Sequence, residues 1–133
     1  MKVALVTGSS RGIGAATAIM LAKSGFKVAV NYLKNEGAAN EVVEKIISFG
    51  GEAKSFRADI SKSHEVRAMF EHIRESLGEI DVLVNNAGIS YIGLLQDMSD
   101  EDIDCQLGVN LKGAILCSKE AIKSMIAKKA GVI

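Results

Sequence analysis

Three glycines follow the first apolar segment of the sequence at a spacing that suits phosphate binding. In the stretch ALVTGSSRGIGAATA, Gly8, Gly12 and Gly14 lie between a predicted strand and a predicted helix. Glycine permits a sharp turn and lets a phosphate approach the backbone, and free N–H groups at the start of a helix attract negative charge. Glycines also end strands without any ligand. The position of these three directly after a strand favours a nucleotide site.

Further polar residues follow the later strands. The stretch DVLVNNAG ends the fourth predicted strand with Asn85, Asn86 and a small-residue pair, although asparagine also serves as an ordinary turn residue. Asp59 follows the third predicted strand, and Asn110 lies inside the last predicted helix. Taken alone, Asp59 could cap the next helix, and Asn110 could be a solvated helix residue. Both alternatives are open at this point.

The elements that must position these residues alternate between strand and helix. Apolar segments predict strands at residues 2–7, 27–32, 53–57 and 81–85, and helical patterns occupy residues 12–24, 36–49, 63–77 and about 100–129. Continuous apolar strands joined by helices favour a parallel sheet covered on both faces. We therefore expect an α/β fold, a Rossmann-like doubly wound sheet with strand order 3-2-1-4. Residues 131–133 would begin a fifth strand, so that residues 1–133 form one domain, incomplete at its C-terminal end.

Apolar residues at helical spacing predict which helix faces pack on the sheet. The residues selected are Ile13, Ala16, Met20 and Leu21 in the first helix, Val42, Val43, Ile46 and Ile47 in the second, Val66, Met69, Phe70 and Ile73 in the third, and Ile103, Leu107, Leu111, Ile115, Ile122 and Ile126 in the last.

Composition argues against several kinds of partner. Sixteen basic and sixteen acidic residues give zero formal net charge, which does not favour nucleic acid or an anionic membrane. The apolar runs are only strand-sized, and no leader-like segment precedes the first strand, so we expect a cytoplasmic protein. Cys105 and Cys117 lie roughly 18 Å apart on one predicted helix, too far to bridge, and no cluster of ligands suggests a metal site.

With these motifs in this order, the whole chain resembles the short-chain dehydrogenase/reductase family. The matching stretches are TGSSRGIG, ADI, NNAG and NLKG. Within the family the nearest likeness is to the 3-oxoacyl-(acyl carrier protein) reductases.

The resemblance implies a dinucleotide site and a partial catalytic set. The residues implied to bind the cofactor are Gly8, Ser10, Arg11, Gly12, Ile13, Gly14, Asn31, Tyr32, Asp59, Ile60, Asn86, Ala87 and Gly88. The glycine loop with Arg11 would hold the phosphates, Asp59 would accept from the adenine amino group, and the segment Asn86 to Gly88 would pass under the ribose. Asn110 would be the helix asparagine that positions a water in the proton relay.

The end of the second strand bears on the type of dinucleotide. An NAD enzyme usually has an acidic residue there, whereas this chain has Asn31 and Tyr32. A carboxylate would repel the 2′-phosphate of NADP, which carries close to two negative charges. Arg11 in the glycine loop would attract that phosphate, and so would Lys34, although most such lysines are simply solvated. We therefore predict NADP(H) as the cofactor.

The family's chemistry also needs a Ser and a Tyr with a Lys four residues later. The tyrosines here are Tyr32 and Tyr91, and Glu36 and Leu95 stand four positions after them. We expect the cofactor-binding half of a reductase that acts on a small-molecule or acyl-carrier-bound ketone and is inactive by itself. The alternatives are a dinucleotide-binding module without catalysis and a self-associating structural fragment. An open sheet edge, and a last helix that pairs between subunits in the family, favour a homo-oligomer.

Overall fold

The computed structural model describes residues 1–133 and contains a four-stranded parallel sheet with helices on both faces. The strands are β1 (Val3–Val6), β2 (Lys27–Tyr32), β3 (Ala53–Arg57) and β4 (Ile80–Val84). The helices are α1 (Gly12–Lys23), α2 (Glu36–Ser48), α3 (Ser63–Ser76), α4 (Asp100–Leu107) and α5 (Ala114–Lys128), and a single 3-10 turn lies at Leu95–Asp97. The strand order β3-β2-β1-β4 confirms the predicted Rossmann-like topology.

Helices cover both faces of the sheet, which explains its continuous apolar strands. All four residues of β1 are buried. On one face, α3 and α5 pack through residues such as Met69, Ile73 and Cys117. On the other face, α1 and α2 pack through Ala18 and Ile46. Because all four strands are parallel, their carboxyl ends meet at one edge of the sheet, and the loops that follow them are brought together there.

The buried face of α1 differs from the predicted one. The helix buries Gly14, Ala18 and Ala22, whereas Ile13 is 81% exposed and Met20 is 62% exposed. Small residues make this contact because they allow the helix to approach the sheet closely. Of the four residues predicted to pack on the sheet, Leu21 is half-buried and packs against the core, whereas the prediction was wrong for Ile13, Ala16 and Met20.

The last helical region also differs from its prediction. Instead of one continuous helix, α4 and α5 are joined by a π-helical segment, Gly108–Gly113. In this region Cys117, Ala121 and Met125 are buried, whereas most of the predicted apolar face is exposed. The exposed residues, which we call the α4–α5 strip, are Leu107, Leu111, Ile115, Ile122 and Ile126.

A single parallel bridge lies at the position predicted for a fifth strand. Val132 pairs with Val82. The N–H of Val132 donates to the carbonyl of Asp81 at 3.0 Å, and the N–H of Leu83 donates to the carbonyl of Val132 at 2.9 Å. None of the helices has the combination of length and apolar composition that a membrane-crossing helix needs.

Candidate functional site

A cleft of about 620 Å³ lies at the carboxyl ends of the strands. Its walls come from the β1–α1 loop, the end of β2, the segment after β3 and the segment after β4. The predicted cofactor residues that line it are Gly8, Ser10, Arg11, Gly12, Ile13, Gly14, Asn31, Tyr32, Asp59, Ile60, Asn86, Ala87 and Gly88. Every residue predicted to bind the cofactor therefore borders this one cleft, and Lys34 borders it as well.

The N-terminus of α1 opens into the cleft with unpaired backbone donors. Its N-cap residue, Arg11, is extended and makes no side-chain cap hydrogen bond, and the first turn has no acidic residue. The N–H of Ala15 bonds to the carbonyl of Arg11 at 3.1 Å, so the N–H groups of Gly12, Ile13 and Gly14 precede the first intrahelical bond. At Gly12, with φ +57°, an added Cβ would meet nothing within 4 Å. An anion can approach the positive end of the helix at this point.

The other two glycines are required by contacts within the protein. Gly8 has φ +60°, and an added Cβ would lie 2.8 Å from the Cα of Ala87. At Gly14 an added Cβ would lie 2.5 Å from Nδ2 of Asn86 and 2.6 Å from the carbonyl oxygen of Gly8. Gly8 and Gly14 thus allow the loop to pack against the segment after β4, and Gly12 leaves open the space that faces solvent.

Thr7 and Asn86 fasten these two segments together. The buried Oγ1 of Thr7 accepts from the N–H groups of Asn86 and Ala87, each at 3.0 Å. Nδ2 of Asn86 donates to the carbonyls of Thr7 at 2.9 Å and Gly8 at 3.0 Å. Thr7 was not among the predicted site residues, although a hydroxyl at the end of an apolar strand was an available signal. The side-chain amide of Asn86 therefore bonds to the backbone of the glycine loop and holds it in place.

Asn31, at the end of β2, is buried and hydrogen-bonded within the protein. It is 2% exposed, because its place in β2 turns the side chain inward. Oδ1 accepts from the N–H of Gly8 at 3.0 Å, and Nδ2 lies 3.3 Å from the carbonyl oxygens of both Phe56 and Ala58. Both polar ends are therefore engaged within the protein.

Tyr32, the next residue, is also largely buried, and it packs with the residues of α1 and α2. Burial raises the pKa of its hydroxyl, the negative charge of Glu36 raises it further, and the positive charge of Arg57 acts in the opposite direction. Tyr32 therefore stays neutral at physiological pH. It contributes an aromatic wall to the cleft and no charge.

Two cations and one carboxylate oxygen at the cleft have no partner within the chain and could bind a ligand. Arg11 and Lys34 are exposed, and neither forms an ion pair. Oδ1 of Asp59 accepts from the N–H of Ser61 at 3.0 Å and from its Oγ at 2.6 Å. Because Lys62 is the N-cap residue of α3, Asp59 is not the helix cap considered above. Its Oδ2 makes no hydrogen bond within the chain and remains able to accept one from a ligand.

Asn110 lies on the π-helical segment, next to the cleft. Its side chain bonds to the backbone of Ile89, with Oδ1 accepting from the N–H and Nδ2 donating to the carbonyl. An added Cβ at Gly88 would lie 3.4 Å from Oδ1 of Asn110. The structure thus brings Asn110 to the end of the segment that lines the cleft, where it holds that segment in place.

The sequence of this chain is similar to those of known proteins. The family model of the short chain dehydrogenases matches residues 2–133. The 3-oxoacyl-(acyl-carrier-protein) reductase of Synechocystis sp. is 46% identical over 132 residues, which cover 99% of this chain and 53% of that protein. The reductase of the same name from Staphylococcus epidermidis is 41% identical and is covered to 54%. The chain thus spans about half the length of the curated relatives it matches.

A solved structure agrees with the sequence comparison. The crystal structure of a metagenomic short-chain oxidoreductase in complex with NADP superposes with a TM-score of 0.93 and 38% sequence identity. The match covers 98% of this chain and 60% of that one. From its sequence and its fold, the chain belongs to the short-chain dehydrogenase family.

Proposed function

We propose that residues 1–133 form the NADP(H)-binding half of a carbonyl reductase. The observation that carries this proposal is the uncapped N-terminus of α1, which opens into the cleft beside the unpaired cations Arg11 and Lys34. A pyrophosphate would accept from the free N–H groups of the first helical turn. Either cation would attract a 2′-phosphate, because neither is paired with a carboxylate of the chain.

The remaining walls fit the rest of the nucleotide. The free Oδ2 of Asp59 can accept a hydrogen bond from the amino group of an adenine, with the buried Ile60 packed beside it. The backbone of Ala87 and Gly88 borders the cleft on the side expected for the ribose. When bound, NADPH supplies the hydride for reduction of a carbonyl group. The residues of this chain bind and orient the adenosine end of that molecule.

The substrate proposed for the whole protein is a 3-oxoacyl thioester, which would be reduced to a 3-hydroxyacyl thioester in fatty acid biosynthesis. The support is the name shared by the two relatives from Synechocystis and Staphylococcus, together with their identities of 46% and 41%. An acyl carrier would then be the partner that delivers the ketone, in the cytoplasm.

A second candidate function is that of a dinucleotide-binding module without catalytic activity. The observation that favours it for residues 1–133 is the setting of the two tyrosines. Tyr32 is buried and is followed four positions later by Glu36, and Tyr91 is followed by Leu95. Neither tyrosine is therefore followed by the lysine that the family's proton transfer requires.

The test measures loss of NADPH absorbance with an acetoacetyl thioester. The chain alone should bind NADPH and show no turnover above a heat-treated control. A chimera that joins residues 1–133 to the C-terminal half of the Synechocystis relative should oxidise NADPH when the thioester is present. A folded chimera that binds NADPH and leaves the thioester unreduced would contradict the proposed reductase, and failure of both proteins to bind NADPH would contradict the proposed cofactor.

A further inference from the structure

Asn31 connects the glycine loop with the opposite wall of the cleft. Its carbonyl oxygen accepts from the N–H of Ser9 at 2.9 Å, and its Oδ1 accepts from the N–H of Gly8 at 3.0 Å. In the other direction, Nδ2 lies 3.3 Å from the carbonyl oxygens of Phe56 and Ala58. One buried residue thus bonds to the loop after β1 and to the end of β3.

An amide is the side chain that fits these partners. It offers an acceptor on one side and two donors on the other. Aspartate would place a carboxylate against the carbonyl oxygens of Phe56 and Ala58, and leucine would leave those carbonyls and the Gly8 N–H without this side-chain partner. Unsatisfied buried polar groups are costly, and no buried side-chain nitrogen or oxygen in this chain lacks a partner.

The two ends of this connection lead to different parts of the cleft. On one side, Gly8 and Ser9 precede the free N–H groups of α1, which would hold the pyrophosphate. On the other side, Ala58 precedes Asp59, which lines the cleft and is the residue proposed to accept from adenine. The distance between the phosphate loop and the adenine wall therefore depends on the bonds that Asn31 makes.

We propose that Asn31 is a positioning residue that sets this distance and controls dinucleotide affinity without touching the dinucleotide. The proposal rests on the proposed cofactor function, and it gives Asn31 a different role from a ribose contact. A ligand that spans both walls depends on their separation, whereas a ligand that occupies one wall does not. Changes at Asn31 should therefore weaken NADP⁺ far more than adenosine, which has neither the pyrophosphate nor the 2′-phosphate and so reaches only the adenine wall.

The experiment compares the affinities of the chain and two variants for these two ligands, by calorimetric titration. Asn31→Leu should weaken NADP⁺ by roughly tenfold or more, the effect of losing about 1.4 kcal/mol, and should change the affinity for adenosine by less than about threefold. The matched control is Asn40→Leu, because Asn40 also bonds to β3, accepting from Ser55 Oγ at 2.8 Å, but is exposed and lies outside the cleft. The control should leave both affinities unchanged.

A second measurement needs no variant and no ligand. In the unmodified chain, hydrogen exchange should show the amides of Gly8 and Ser9 protected, and those of Gly12 and Ile13 exchanging faster. Equal weakening of both ligands by Asn31→Leu, unchanged NADP⁺ affinity, or an unprotected Gly8 amide would each overturn the proposal. Absence of NADP⁺ binding by the unmodified chain would overturn the proposed function and this inference together, an outcome distinct from a failure confined to the variant.

Discussion

The side-chain amide of Asn110 pairs with the backbone of Ile89 in both directions. Oδ1 accepts from the N–H of Ile89 at 2.8 Å, and Nδ2 donates to its carbonyl oxygen at 2.8 Å. Asn110 lies in the π-helical segment, and Ile89 is one of the residues that border the cleft. One side chain therefore satisfies both backbone polar groups of a loop residue and fixes the path of that loop.

We expect Asn110→Ala to loosen this loop. The variant loses two hydrogen bonds that are partly open to water, so the free energy of unfolding should fall by about 1 kcal/mol. Hydrogen exchange at the Ile89 amide should become much faster. The control is Asn85→Ala, which loses the single bond from Nδ2 to Ser118 Oγ at 3.0 Å and leaves Ile89 paired. An Ile89 amide that exchanges equally slowly in Asn110→Ala would contradict this account of the loop.

Gly8 and Gly12 should respond differently to alanine, although both have positive φ. Gly8→Ala adds a collision with Ala87 to the left-handed strain and should lower the free energy of unfolding by about 3 kcal/mol. Gly12→Ala carries only the strain, about 1–2 kcal/mol, and should weaken NADP(H) because its methyl group enters the space proposed for phosphate. Urea unfolding and nucleotide titration check the pair, and equal stabilities of the two variants would show that the packing argument is wrong.

Asp81 joins the beginning of β1 to the end of α5. Its Oδ2 accepts from the N–H of Val3 at 2.9 Å, and its Oδ1 accepts from Nζ of Lys128 at 2.9 Å. Burial by itself raises the pKa of this carboxyl group. The hydrogen bonds from Lys128 and Val3 and the charges of Lys128 and Lys2 outweigh burial, so that the net pKa is lowered.

A lowered pKa makes the contribution of Asp81 to stability dependent on pH. The contribution is present above the unfolded-state pKa of about 3.9 and is lost as pH falls through the lower pKa of the folded state. Asp81→Asn should therefore reduce the free energy of unfolding by about 1–3 kcal/mol at neutral pH, and by less in acid. Urea unfolding at the two pH values checks this, with the exposed Asp97→Asn as control. A deficit that grows in acid would contradict the stated sign.

The α4–α5 strip predicts self-association, because exposed apolar patches of this kind commonly form interfaces. Leu111 and Ile115 are 57% and 56% exposed near its centre. Light scattering at high micromolar concentration should show a dimer or larger species for the unmodified chain. The double change Leu111→Lys with Ile115→Lys should shift it to monomer, and Lys119→Ala on the same helix should not. A monomeric unmodified chain would refute the prediction.

The sequence predicted the sheet and the convergence of the cleft residues. Strand order follows from regular alternation of strand and helix, and the polar residues that follow parallel strands must meet at one edge of the sheet. The inward-facing side of α1 could not be found in this way, because Gly14, Ala18 and Ala22 make the contact and small residues carry a weak hydrophobic signal.

The place of Asn31 required the structure. An asparagine at the end of a buried strand can face either the ligand or the interior. Successive side chains of a strand point to opposite faces, so an error of one position in β2 reverses the predicted direction. Its partners, Gly8 and Ala58, are distant in sequence, and no local pattern reveals them. The π-helical turn around Asn110 likewise interrupts an apolar periodicity that reads as one helix.

The central claim, NADP(H) binding at the α1 N-terminus, is tested most directly by isothermal titration of the chain with NADP(H) and NAD(H). We expect weak binding that favours NADP(H), since Arg11 is exposed and unpaired beside the cleft. Arg11→Ala should abolish most of that preference and leave NAD(H) affinity nearly unchanged. Tighter binding of NAD(H) than NADP(H) by the unmodified chain would contradict the account.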